Sequence, residues 1–457
     1  MFQHLRLLCQ RRGKPVRTLS IESIRERLQL IHAHGIKNVR VLDRTFNYNP
    51  RRAKELLRLF LEFHPDIRFH LEIHPALLSE ELKEELSKLN ATCHVTADED
   101  NLYIIMEGYE ATLPQACQLL SRQILMPKLD EKQLARLKGS AMGMRQQRKD
   151  NVSILNEALR QYMLYGEKSD YIKELTDKEI YELQISELTG DINRASNYEA
   201  KVFFTGTLPF DQVYDILSKN LPLVANERPS NSPQAKEMMP VTENTVYFLP
   251  NNDAEQAQIH LYIPMQKADK KDDVLRSAFN QYFGLDFTGI VLNEIREKRS
   301  MAYTAYAFVG TQGIAGKASY LRGYIGTQND KANDALDVLM SLVNDMPKNP
   351  ERIGNIKSYL RQAMLTSHPS FRNKAMELVD LGYRGYTDDP AKENLPKVDA
   401  LTFDDIVKFY EENIKGKPYC IGVMGNPKDI DLKKLEKYGK VVKLNERKLF
   451  NTKDALF

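Results

Sequence analysis

Apolar residues recur along the chain with two periods, and the alternation between them marks out helices and strands. Ser20 caps a helix running from Ile21 to His34, with Ile24, Leu28, Leu30 and Ile31 apolar and Gly35 closing it. Residues 38–42 then read as a short buried strand, 51–63 as a second helix, 68–73 as a second strand and 80–89 as a third helix behind Ser79. Strand and helix alternating through short links is the pattern of parallel βαβ units.

From about residue 85 the texture changes. Two alternating strands, 91–97 and 102–109, are joined by the turn Asp98-Glu99-Asp100-Asn101. An amphipathic helix from Leu113 to Leu125 follows, then a long charged helix from Asp130 to about Lys149, and a helix from Ile154 to Tyr165 that stops at Gly166. Two segments recur further on. The helix start Leu175-Thr176-Asp177-Lys178-Glu179-Ile180 is echoed by Leu401-Thr402-Phe403-Asp404-Asp405-Ile406, each capped and acidic in its first turn. After each comes a predicted strand into glycine, Lys201 to Gly206 and Tyr419 to Gly425, and a further helix. An offset of about 220 to 226 residues in both cases is evidence of a repeat. The fold class expected is therefore α+β: two copies of a unit of antiparallel sheet packed with helices, the first incomplete, preceded by a short α/β fragment. The boundaries expected are 1–88 for the fragment, 89–225 for the first copy, 226–244 for a proline-rich linker and 245–457 for the second copy.

The most informative stretch is Phe283 to Tyr306, FGLDFTGIVLNEIREKRSMAYTAY. Its apolar start is punctuated by Gly284 and Gly289. A helix follows with Ile290, Val291, Leu292 and Ile295 inward and Glu294, Arg296, Glu297, Lys298 and Arg299 mostly outward. A strand from Tyr303 to Val309 completes it. The order Glu-Ile-Arg-Glu-Lys-Arg-Ser-Met-Ala-Tyr resembles the insulinase/pitrilysin family of zinc metallopeptidases, in the repeat that does not carry the zinc. That resemblance implies that Arg296 and Tyr303, seven residues apart, reach towards a substrate held at a distant zinc site. The bland readings are a surface ion pair of Arg296 with Glu294 or Glu297, and a half-buried strand aromatic for Tyr303. Residues 1–88 resemble a fragment of a cobalamin-associated radical-SAM barrel, in which Asp43, Arg44 and Glu72 would face a cofactor. That family's three cysteines are missing, which leaves no iron–sulfur ligation of its kind.

Composition narrows the function further. At 457 residues, with 42% hydrophobic and 28% charged positions, the chain is a globular protein of more than one domain. A net charge of +3 argues for no nucleic-acid partner, and no apolar window is long enough for a membrane span. Scattered cysteines and the absence of a signal-like start make a cytoplasmic location the expectation. Zinc hydrolysis of peptides needs a His-x-x-Glu-His pentad with a distal carboxylate, and none occurs. His70 and His74 flank Glu72 at the wrong spacing, on a segment that reads as a strand. No cofactor is therefore expected on this chain; zinc would reside in a catalytic partner half. The resemblance implies the zinc-lacking, substrate-binding half of a metallopeptidase, inactive alone, with peptide and a zinc-bearing half or homologous subunit as partners. The alternatives are a non-catalytic peptide- or partner-binding scaffold of the same units and, more remotely, a radical-SAM remnant.

Overall fold

The computed structural model describes residues 20–33, 38–41, 56, 58–60, 62–63, 68–71, 88, 91–97, 102–125, 130–148, 151–195, 200–221, 235–284, 287–366 and 369–451. The chain divides into two compact units. One takes in Met1–Lys83, Cys93–Thr96 and Tyr103–Met106; the other takes in Glu84–Thr92, Ala97–Leu102 and Glu107–Phe457.

In the smaller unit the helix Ile21–Ala33 turns Leu28 inward against Leu56, Leu59 and Phe60, with Ile24 and Ile31 beside them. Strands β1 (Asn38–Val41) and β2 (Arg68–Leu71) pair in parallel, as the βαβ pattern predicts. Strands β3 (Thr92–Ala97) and β4 (Leu102–Glu107) form a two-stranded sheet of their own. Asp43, Arg44, Glu72, His74 and the predicted third helix (except Lys88, which is helical) lie outside the described residues.

The larger unit is built on six strands: β5 (Thr245–Pro250), β6 (Gln256–Lys267), β7 (Ala302–Thr311), β8 (Ala318–Gln328), β9 (Cys420–Gly425) and β10 (Lys440–Lys443), in the order β10-β5-β9-β6-β8-β7. The first three of that order run parallel, and the remaining pairs are antiparallel. Period-two alternation gives each strand two faces. Val246, Phe248, Ile259, Leu261, Ala305, Ala307, Leu321, Ile325, Ile421 and Val423 face a core shared with the helices Asp273–Phe283, Ala332–Asn344, Ile353–Thr366 and Phe403–Asn413. On the opposite face Tyr262, Cys420 and Met424 are covered by the helix Val152–Tyr165 through Leu155, Ala158, Leu159, Met163 and Leu164. A strand with helices on both sides must be apolar at every position, and β9, CIGVMG, is buried throughout.

The helix Val152–Tyr165 comes from the first copy and the sheet it covers from the second. Element positions put the two copies in register: one displacement of about 219 residues carries Glu110–Thr112 onto Asn329–Lys331 and Leu113–Leu125 onto Ala332–Asn344 at equal length. It carries Gly166 to Gly385 and Gly206 to Gly425 as well. Under it the counterpart of Phe403–Asn413 is the helix Ile185–Ala195. The capping boxes at Thr176 and Thr402 are therefore similar local solutions at different places in the repeat.

One predicted element fails to form. Residues 201–206 are irregular, although their counterpart β9 is a central strand. A strand is stabilised by its neighbours' hydrogen bonds and cross-strand contacts. β9 has β5 on one side and β6 on the other, whereas among the described residues no strand pairs with residues 201–206. Val202 and Phe203 are left exposed.

Candidate functional site

The segment after Gly284 is anchored from inside. Ile290, Val291, Leu292 and Ile295 are buried in the main core. Gly284 is required for this: a Cβ there would lie 2.9 Å from Val291 Cβ and 3.2 Å from the Ala307 amide nitrogen. That amide donates a 3.0 Å hydrogen bond to the Gly284 carbonyl, tying the outer edge of β7 to the end of the helix Asp273–Phe283. Asn280 secures the same edge, accepting from the Val309 amide at 2.6 Å and donating to the Val309 carbonyl at 3.0 Å.

The predicted helix is present with an altered winding. Ile290–Leu292 is α-helical, and Asn293–Glu297 is a π-helix, with the Lys298 amide donating to the Asn293 carbonyl at 2.9 Å. A π-turn takes one more residue than an α-turn and so re-aims the side chains after it. The chain then reverses through Ser300, whose φ of 49° is left-handed. It enters β7 with a bulge: Ala302 pairs Thr327 and Thr304 pairs Gly326, which leaves Tyr303 out of the ladder. Bulges redirect side chains, and Tyr303 is 79% exposed.

These two irregularities bring the predicted pair together. The Arg296 guanidinium carbon lies 5.2 Å from the Tyr303 ring centroid and 5.9 Å from that of Phe287, itself 76% exposed. Its Nε is 3.5 Å from Glu297 Oε1. Glu294 is engaged elsewhere, accepting from Lys298 Nζ at 2.6 Å and Arg299 Nη1 at 2.5 Å. These bonds, the Lys298 one foremost, hold its carboxyl below the usual range. The ion pair of Arg296 with Glu297 thus exists and the one with Glu294 does not. Tyr303 is fully exposed in character, in contrast to a half-buried strand aromatic. A cation over an aromatic face outside the core contributes about 0.5–1 kcal/mol, enough to bias the guanidinium without fixing it. Phe287 was not singled out as a site residue; its place between Gly284 and Gly289 in an otherwise inward run was the only signal.

Beyond Tyr303 the outer face of β7 and β8 is aromatic and polar. The Tyr306 ring lies 5.8 Å from Phe308 and 5.3 Å from Tyr324, and Arg322 stands 5.9 Å from the Tyr306 centroid. Deeper, His260 Nε2 meets Asn156 Oδ1 at 2.7 Å, and burial, with Arg322 and Arg160 nearby, lowers its pKa to about 3. Cys93, Cys117 and Cys420 are free and buried, which pushes their thiols up to about 11, 11 and 12, away from nucleophilic use. Among the described residues no three His, Cys, Asp or Glu side chains are grouped to hold a metal ion, and no helix is long and apolar enough to cross a membrane.

Residues 196–356 match the family model described as the Peptidase M16 inactive domain, a span that contains Phe287, Arg296 and Tyr303. No curated protein matches the sequence. Among solved structures, the chain is similar to the peptidase M16 inactive domain from Pseudomonas fluorescens, with a TM-score of 0.60 at 15% identity over 77% of this chain and 84% of that one. It is similar to the ferredoxin protease FusC, solved in complex with Arabidopsis ferredoxin, with a TM-score of 0.58 at 13% identity over 77% of this chain and 39% of that one. Pitrilysin matches with a TM-score of 0.55 at 14% identity over 80% of this chain and 39% of that one. At such identities the likeness is one of fold: the mixed α+β architecture is that of the M16 inactive half. The radical-SAM resemblance of residues 1–88 has no support in these comparisons.

Proposed function

We propose that residues from about 85 to the end act as the zinc-free, substrate-holding half of an M16-type metallopeptidase. The observation that carries this reading is the pairing of Arg296 with Tyr303 at 5.2 Å, exposed at the start of β7. It lies inside the segment that matches the inactive-domain model. Arg296 presents a rigid fork of donors suited to a peptide carbonyl or a terminal carboxylate. Tyr303 presents a phenol that can donate to the oxyanion of a tetrahedral intermediate. Tyr306, Phe308 and Tyr324 form a second aromatic cluster further along β7 and β8. Two of the similar structures are proteases of which this chain spans 39%, which leaves room in them for a second half. The zinc, its ligands and the base that activates water belong to that second half, on a partner chain. FusC was solved in complex with Arabidopsis ferredoxin, and the substrate class proposed for this surface includes a small protein as well as a peptide.

The chain alone should show neither stoichiometric zinc nor peptide hydrolysis. Mixed with an M16 catalytic half carrying His-x-x-Glu-His, it should support turnover of a quenched fluorescent peptide. Arg296→Ala or Tyr303→Phe should then lower kcat/KM by about 10²–10³, the effect of losing one oxyanion donor. Undiminished turnover in both variants would remove the assignment. Binding of the peptide without turnover in any mixture would favour the scaffold reading.

A further inference from the structure

The first copy is open where the second is closed. In the second copy the helix Val152–Tyr165 lies over β9, with Leu159 and Met163 directly above Gly422, where any side chain would collide with Met163. The displacement of about 219 residues turns β9 into residues 201–206 and this helix into a span containing the helix Lys374–Tyr383. These counterparts already touch at one end: Lys201 Nζ donates to the Tyr383 hydroxyl at 3.1 Å and lies 5.1 Å over its ring. Near the other end of the helix, Arg372 Nε approaches Glu107 Oε1 at 3.7 Å.

Between the two ends the cover is missing. Leu159 is 0% exposed, and its counterpart Leu378 is 69% exposed. The helix Lys374–Tyr383 buries no side chain, whereas its counterpart buries five. Phe203, the counterpart of Gly422, is 43% exposed. The sizes at this crossing are exchanged between the copies. Met163 sits over Gly422 in the closed one, while in the open one the displacement matches Met163 to Gly382 and Gly422 to Phe203. A Cβ added at Gly382 would meet nothing within 4 Å. Large against small in one copy and small against large in the other is what a specified helix–strand contact requires. In the first copy that contact is written into the residues and left unassembled.

We propose that a separate polypeptide completes the first copy by donating two β-strands, one parallel and one antiparallel to residues 201–206. The segment then becomes a central strand, and its outer side seats on the helix Lys374–Tyr383 with Phe203 in the space over Gly382, beside Leu378. The chemistry of the occupant follows from the strands that flank β9. It is a strand pair like β5 and β6, alternating in burial in the first and buried without a break from Ala257 to Ile263 in the second, because a strand covered on both faces has no solvent side. The inference does not depend on the roles given to Arg296 and Tyr303.

The chain has no tryptophan, so Leu378→Trp supplies a single reporter on the uncovered helix. The probe is a peptide with the sequence of residues 245–267, the strand pair this protein itself places around β9. Added to the full chain carrying Leu378→Trp, it should shift the emission to the blue by about 10 nm. It should also slow amide exchange of residues 201–206 and 374–383 by about tenfold or more. Phe203→Asp should abolish both changes. Joining the same segment to the C-terminus of the full chain through a flexible Gly/Ser linker repeats the measurement without the solubility limit of a free peptide. Unchanged emission and exchange in both formats would overturn the proposal, as would protection that survives Phe203→Asp. Protection that rises with protein concentration in the absence of the peptide would overturn it too, by showing that a second copy of the chain is the occupant.

Discussion

A single histidine carries a pH dependence that can be read in sign and window. His260 is fully enclosed between β6 and the helix Val152–Tyr165. Asn156 Oδ1 accepts from its Nε2, and its Nδ1 has no hydrogen-bond partner among the described residues, so the neutral tautomer fits the site. Burial first, then Arg322 and Arg160, lower its pKa from 6.5 to about 3. The unfolded chain therefore binds the proton that the folded chain refuses. The contribution to stability is complete above pH 6.5 and is lost as the pH falls towards 3, at about 1.4 kcal/mol per pH unit. Urea unfolding at pH 7 and pH 5 should show the wild type losing about 2 kcal/mol more between the two than His260→Gln. The glutamine amide can still donate to Asn156 and cannot titrate; equal losses would show that His260 is not the group responsible. Arg296 and Tyr303 were also readable as individual residues, but only through a seven-residue spacing that matched a known motif. Their meeting at 5.2 Å depends on a π-turn and a bulge. Neither leaves a mark in the pattern, because the apolar positions Ile290, Val291, Leu292 and Ile295 satisfy an α- or a π-winding equally well.

Whole elements were legible where their own residues decide them and illegible where neighbours do. The helix Leu113–Leu125 has the limits the sequence predicts, because amphipathic spacing and flanking residues are local signals. Asp130 caps the charged helix by accepting from the Gln133 amide at 2.6 Å while Gln133 returns the bond at 3.1 Å. Residues 201–206 and β9 read alike as strands, and only β9 is one, since strand formation is decided by partners remote in sequence. The same dependence makes β10 vulnerable. Gly439, with φ of 144°, links the helix Leu432–Glu436 to β10, and a Cβ there would collide with the Asn244 carbonyl just before β5. The Lys440 amide donates to that same carbonyl at 3.2 Å, opening the parallel pairing of β10 with β5. Gly439→Ala should cost about 3 kcal/mol, from backbone strain and the displaced strand together, and thermal unfolding would measure it. A loss below about 0.5 kcal/mol would show that β10 can detach without cost to the rest.

Across the whole molecule, the repeat was visible in the sequence, but the way its copies share one sheet was not. Nothing in the helix Val152–Tyr165 announces that its apolar face belongs to strands about a hundred residues and more downstream; the same face could have served its own copy. Leu155, Leu159, Met163 and Leu164 are nevertheless spent on Tyr262, Cys420 and Met424. Asn451 joins in: its amide donates to the Tyr171 carbonyl at 3.0 Å and its side chain to the Glu174 carbonyl at 2.7 Å. Sequence continuity between Leu221 and Ala235 is then not what holds the copies to each other. A specific protease site placed between these two residues, once cut, should yield two fragments that still elute as one species. They should separate only in denaturant or after Leu159→Asp; fragments that part on cutting would contradict this. That result would make the chain, in this respect, a heterodimer whose subunits happen to be translated in tandem. A gene split at that junction could encode it as two proteins that find each other after synthesis.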